Sequence, residues 1–297
     1  MTPSTAAIET LPLAPGEDPF VVEHGGFYRR WFSMVEDVDL LKRTVASLKG
    51  TTDDLWVPAW RDIGKRYEKE AEALLARGDK AGARRKFLEA KSYYSIARFP
   101  HPLTPLKEEA DRDCIRAYPR ACAHLDPPLE LVKVACQGKA ITSHFRAPKG
   151  SGPSKKAPAA LIMCGGDMFK EDRGWAGEMC LAEGMASLVM DGPGTGENPF
   201  PYAPESVVAW KAAVDYLASR PEVDPDRIGA FGISRGGHSV MLLAGSCPER
   251  VKAAVASAGH PFGYRMTPEE MQNFVENRNK RAKYVFGAPG DGPKNPP

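Results

Sequence analysis

The run Arg227-Ile228-Gly229-Ala230-Phe231-Gly232-Ile233-Ser234-Arg235-Gly236-Gly237 holds a serine in the frame G-x-S-x-G. The residues before it read as a strand and those after it as a helix that begins at once. In that context the frame marks a nucleophile elbow. A serine on such a turn stands clear of the sheet edge, with its hydroxyl free to attack a carbonyl carbon. Gly232 and Gly236, two residues either side of it, have no Cβ to collide on so tight a turn. The backbone N–H of Arg235 falls beside the hydroxyl, and the next helix aims its positive end at it. The competing reading is a serine that only caps a helix after a sharp turn.

Gly165-Gly166-Asp167 follows the strand expected to lie beside the serine strand. There its N–H groups, at Gly166 and Asp167, would join that of Arg235 in holding a developing oxyanion, a term worth a few kcal/mol per donor. The alternative is a plain strand-exit turn. Gly192-Pro193-Gly194-Thr195-Gly196 lacks the G-K-[ST] ending of a phosphate loop and the spacing of G-x-G-x-x-G. It reads as a rigid loop on the rim of the site.

The elements that position these residues fall into two halves. Residues 129–297 alternate strands and helices, the pattern of a mostly parallel sheet. Leu129–Cys136 and Ala140–Arg146 read as a hairpin turning at Gln137-Gly138. Strands are expected at Ala159–Cys164, Ala186–Met190, Arg227–Gly232 and Val251–Ala256. Helices are expected at Arg173–Glu183, Pro204–Ser219 and Ser234–Ser246. Residues 1–128 read as helical throughout and as a cap or docking domain. Apolar residues recur at helical spacing over Gly26–Leu48, from Trp31 to Leu48. A second helix is expected to open near Val57-Pro58 and stop at Gly78. A third runs from Asp79 to Ala97, and a fourth from Leu106 to Tyr118. The hairpin from Glu70 to Ala97 is faintly like one tetratricopeptide repeat, but a single repeat cannot bury its own core. Tyr93, Tyr94, Phe99 and Trp175 are expected to pack in the core, with stacking on an aromatic substrate as the alternative.

Of the 297 residues, 42% are hydrophobic and 26% charged, ordinary values for a soluble domain, and the formal net charge is +2. Neither a nucleic-acid nor a membrane partner is expected from that balance. The N-terminus has no basic start and no apolar core, so no secretory signal is expected. The six cysteines form no C-x-x-C pair. They read as reduced thiols of a cytoplasmic protein, and no metal or other cofactor is expected.

Phe99-Pro100, Thr104-Pro105-Leu106-Lys107, Gly165-Gly166, Lys170-Glu171, the run Asp191–Glu197 and Gly232–Gly237 occur in that order. In this order, after a helical N-terminal half, they resemble the α/β-hydrolases with an N-terminal helical cap. That group includes 2,6-dihydroxypseudooxynicotine hydrolase, fungal polyketide chain-shortening hydrolases and the fermentation-respiration switch protein. The resemblance covers about residues 60–260. It implies a cofactor-free serine hydrolase and a homodimer. Its substrates would be small carbonyl compounds, either esters or molecules with a C–C bond next to a ketone.

One departure stands out. In this fold the chain order is serine, then Asp or Glu, then histidine. Only His238 and His260 follow Ser234. His238 lies one turn into the elbow helix and is expected to face the core or a neighbouring helix. His260 follows the last expected strand at the catalytic end of the sheet, as a base or as a rim contact, with no carboxylate placed to orient it. The sequence thus reads as a hydrolase cut short before its last two strands. The alternative function is a hydrolase-like scaffold or binding protein that lacks the triad acid and base.

Overall fold

The computed structural model describes residues 26–257. The described chain opens with a 3-10 turn at Gly26–Trp31. Four helices follow: α1 (Val38–Ser47), α2 (Asp53–Ala76), α3 (Lys80–Arg98) and α4 (Pro105–Cys122). Helix α2 opens five residues before the expected Pro58. Thr52 enters it extended, and Asp53 and Asp54 set two carboxylates at its positive end. Gly78 turns the chain at φ +83°, and the Asp79 carboxylate then accepts the Gly82 N–H at 2.8 Å to start α3. Pro105 in the first turn and Thr104 at the N-cap start α4. The expected helix over Gly26–Leu48 is two pieces, the 3-10 turn and α1.

The sheet has the strand order β1-β2-β4-β3-β5-β6. Its strands are β1 (Glu130–Cys136), β2 (Lys139–Arg146), β3 (Ala157–Met163), β4 (Ala186–Met190), β5 (Val223–Ile233) and β6 (Ala253–Ser257). Strands β3 to β6 run parallel, and β2 is antiparallel to both β1 and β4. Gln137 and Gly138 both take positive φ, as a two-residue hairpin turn requires. Helices α5 (Gly174–Ala182), α6 (Val207–Ser219) and α7 (Arg235–Ser246) complete the described chain.

Three apolar layers result. Leu161, Met163, Leu188 and Met190 on one sheet face meet Trp210 and Leu217 of α6 and Val240 and Leu243 of α7. Ile162, Cys164 and Val189 on the other face meet Ala176 of α5. The helical half has its own core, in which Trp31, Trp56, Trp60 and Tyr93 pack ring against ring. Tyr93 and Tyr94 are fully buried there, as expected of packing residues. Trp175 is not: it lies exposed on α5, edge-on to Phe231.

Charge, not grease, marks the seam between the helices and the sheet. Lys170, Glu171 and Asp172 form one 3-10 turn there, and all three are buried. Asp172 takes Arg98 of α3 at 2.5 Å and Lys91 of α3 at 3.2 Å. Arg98 also reaches Asp111 of α4 at 3.2 Å and covers the Phe169 ring at 3.7 Å. Burial alone would raise the Asp172 pKa, but Lys91 and Arg98 outweigh it and hold the carboxyl down at about 2. Beside it, Tyr118 of α4 stacks on His144 of β2 with centroids 5.0 Å apart.

Candidate active site

Ser234 sits between β5 and α7 at φ 59°, ψ −121°, a left-handed conformation that a serine rarely adopts. The crowding that forces it there is visible at its neighbours. A Cβ on Gly232 would run into the Gly236 carbonyl and stand 2.9 Å from the Gly237 nitrogen. A Cβ on Gly236 would run into the Met163 carbonyl oxygen and stand 2.9 Å from that of Cys164. Ser234 is exposed at the end of β5. Its N–H donates to the Ser257 carbonyl at 2.9 Å, which ties the turn to β6. Its own carbonyl accepts the His238 N–H at 3.1 Å, the first bond of α7. A sharp strand–turn–helix with an exposed hydroxyl at its apex is what the sequence frame predicts.

The Gly165-Gly166-Asp167 loop lies directly against this turn. β3 pairs with β5, so their exits are neighbours. A Cβ on Gly165 would stand 3.2 Å from the Ile233 carbonyl oxygen and 3.7 Å from the Ser234 Cβ. The Arg235 guanidinium donates to the Gly165 carbonyl at 3.2 Å and to Thr195 Oγ1 at 3.0 Å. It also lies over the Tyr202 ring at 4.8 Å. One side chain next to the serine therefore binds both the β3 loop and the Asp191–Glu197 loop. The Asp167 carboxylate pairs with Arg30 at 2.8 Å.

The Asp191–Glu197 loop is held from below. Lys170 donates its backbone N–H to Asp191 Oδ1 at 2.7 Å, and its ammonium reaches Asp191 at 3.1 Å. Glu171 and Glu197 each lie 2.8 Å from the same ammonium. Burial works against the Lys170 charge, but Asp191, Glu171 and Glu197 together raise its pKa and keep it protonated. Thr195 closes the loop with a bond to the Gly192 carbonyl at 2.6 Å. The rim loop expected from the sequence is thus fixed at both ends.

Of the residues that sequence reasoning placed in one site, Arg235 adjoins Ser234, and the loop that carries Gly166 and Asp167 starts at Gly165, where a Cβ would stand 3.7 Å from the Ser234 Cβ. His260 lies outside the described residues. His238 is half-buried, its Nδ1 3.4 Å from the Tyr202 hydroxyl, so it faces the loop that follows β4. His101 was missed. It is buried against Phe169 and shares a hydrogen bond with the backbone of Gly166. Burial, with Arg235 and Arg98 nearby, pushes its pKa down to about 3, so the ring is neutral at neutral pH. The only signal for it was its place in Phe99-Pro100-His101-Pro102, the break between two helices. Among the described residues no cluster of His, Cys, Asp and Glu could hold a metal ion, and no helix is long and apolar enough to cross a membrane.

The model of the FrsA-like esterases matches residues 35–277. The chain belongs to that family. It is 28% identical over 207 residues to 2,6-dihydropseudooxynicotine hydrolase of Paenarthrobacter nicotinovorans, a match covering 69% of this chain and 55% of the relative. It is 30% identical over 225 residues to the esterase FrsA of Citrobacter koseri, covering 74% of this chain and 52% of the relative. The chain therefore spans about half the length of the curated relatives it matches. Among solved structures, that of 2,6-dihydroxy-pseudo-oxynicotine hydrolase superposes with a TM-score of 0.69 at 24% identity. That match covers 88% of this chain and 71% of the other, and it shows a shared α/β-hydrolase fold.

Proposed function

We propose that this member of the FrsA-like esterases is a serine hydrolase with Ser234 as its nucleophile. The observation that carries the reading is the backbone of Ser234, held at φ 59° on a turn that only glycines at 232 and 236 permit. A strained, exposed hydroxyl at a helix N-terminus is poor economy for a structural residue and suits a nucleophile. In the proposed reaction the Ser234 oxygen bonds to the substrate carbonyl carbon. The carbonyl electron pair moves onto its oxygen, which the N–H groups of Arg235 and of the Gly166–Asp167 segment receive. As the oxyanion collapses, the bond to the leaving group breaks and the serine proton ends on that group. Water then cleaves the acyl-serine and restores the hydroxyl. His260 is our candidate for the base that carries the proton.

The family's name supports an ester, and the substrate class we propose is a small carbonyl compound, either an ester or an aryl ketone or diketone whose C–C bond is hydrolysed. A C–C bond next to a ketone breaks this way only if the departing carbanion is delocalised, so an aromatic or 1,3-dicarbonyl leaving group is expected. A panel of aryl esters and aryl diketones separates the two. Turnover of short aliphatic esters alone would favour a general carboxylesterase.

The test of the nucleophile is a fluorophosphonate probe, which loses fluoride as the serine oxygen bonds to phosphorus. Labelling of the 297-residue chain is expected to vanish in Ser234→Ala; equal labelling of that variant would refute the assignment. A second reading, a hydrolase-like binding protein without turnover, is favoured by one observation. Among the described residues no imidazole hydrogen-bonds the Ser234 hydroxyl. Ester turnover that is lost in His260→Ala would exclude this reading and make His260 the base.

A further inference from the structure

The three residues of the Gly165-Gly166-Asp167 loop are each held by a different side chain. Arg235 donates to the Gly165 carbonyl at 3.2 Å. His101 bonds the backbone of Gly166 in the sense that favours a protonated ring. The ring N–H is therefore the donor and the Gly166 carbonyl the acceptor. Arg30 pairs with the Asp167 carboxylate at 2.8 Å and is itself seated over the Phe99 ring at 4.8 Å. A trans peptide carries its C=O and N–H on opposite sides. Fixing the Gly165 carbonyl thus fixes the direction of the Gly166 N–H. Fixing the Gly166 carbonyl likewise fixes that of the Asp167 N–H. These are the two N–H groups of this loop that the proposed reaction uses.

Two of the three holders come from the helical half. Arg30 lies in the 3-10 turn before α1, and His101 in the link between α3 and α4. Neither belongs to the elbow, and neither is assigned a reacting role here. We propose that Arg30 and His101 are positioning residues through which the helical half sets the oxyanion loop. The proposal rests on the hydrolase reading for its effect on rate, but its geometric content stands apart from it. Because the His101 ring is buried and neutral, it serves as a fixed N–H donor and not as a proton carrier. The helices of this protein then do more than cover a pocket. They supply two of the three side-chain contacts named above for this loop, and Arg235 supplies the third.

The experiment uses the full 297-residue chain and four variants. His101→Phe and Arg30→Gln remove the donors; His101→Asn and Arg30→Lys keep one. Two readouts are taken: amide hydrogen exchange at Gly166 and Asp167, and the rate of Ser234 phosphonylation from pH 6 to 9. In the donor-less variants, exchange at both amides is expected to rise at least tenfold. Labelling is expected to slow by about ten- to a hundredfold, the scale of a misplacement near 1 Å. Its pH profile should keep its shape, and the donor-keeping variants should recover most of the loss. Unchanged exchange at Gly166 and Asp167 would overturn the proposal whatever the labelling does. A pH limb that disappears in His101→Phe would also overturn it, since His101 would then move a proton. If Ser234→Ala labels as fast as wild type, the hydrolase reading falls, and the exchange data still decide whether the helices hold the loop.

Discussion

A methyl group on Gly236 would be driven into the carbonyl oxygen of Met163, a residue 73 positions earlier on the neighbouring strand. The elbow helix and the end of β3 are in backbone contact there, with no side chain between them. Gly236→Ala must therefore push α7 off the sheet. We expect a loss of about 1–3 kcal/mol in unfolding free energy, the usual cost of overpacking. Chemical denaturation checks it. A variant as stable as wild type would mean that the elbow has slack the packing does not show.

The conformation of Ser234 makes an opposite prediction. A non-glycine residue at φ 59°, ψ −121° carries about 1–3 kcal/mol of backbone strain. Ser234→Gly relieves it, whereas Ser234→Ala keeps the Cβ and the strain. Both variants should lose probe labelling, but the glycine variant should melt above the alanine variant and above wild type. Equal melting temperatures for the two would show that the turn is unstrained.

Arg98 and Asp172 form an ion pair with no solvent access to either side chain. Removing one partner strands the other charge, so Asp172→Asn or Arg98→Met should each cost about 3–5 kcal/mol. The double replacement should cost less than the sum of the two. Urea unfolding of the three variants forms a double-mutant cycle, and strict additivity would mean that the two charges do not interact.

His144 is buried between Tyr118 and the seam, 3.9 Å from Glu171. Burial, with the Lys170 charge behind it, pushes its pKa from the ordinary 6.5 down to about 3. Between those values the unfolded chain binds a proton at this site that the folded chain refuses. Stability from this group is full above about pH 6.5 and is lost as the pH falls toward 3. Relative to His144→Gln, wild type should weaken by up to about 1.4 kcal/mol per pH unit over that window. Denaturation curves at pH 8, 6 and 4.5 measure it, and a stability difference constant across pH would contradict a neutral, buried ring.

Much of this could be read along the chain because its signals are local. The strand Ala186–Met190 was located to the residue, since a short apolar run interrupted only by Ser187 lies between Gly184 and the Asp191-Gly192 turn. The elbow was legible because two glycines, a strand and a helix fall in fixed order. Helix α2 started early because the first-turn carboxylates of Asp53 and Asp54, at the positive end of the helix, count for more than a proline that the second turn tolerates. The seam was not legible. Lys91, Arg98 and Asp111 look like the solvated face of any helix, and only folding across more than 70 residues brings Arg98 to Asp172. His101 was hidden for the same reason: its partner Gly166 is remote in sequence, and its burial is a property of the assembled fold.

The charges at the seam bear on modularity. Lys91 and Arg98 on the helices both meet Asp172 across the seam, with the Arg98–Asp111 pair behind them on one side and Lys170 with Glu171 and Asp191 on the other. An apolar boundary would accept a foreign helical half with some repacking; this one would bury unmatched ions. A chimera between this chain and a relative should therefore inherit both sets together, and exchange of substrate range by swapping helices alone would be blocked by electrostatics rather than by shape.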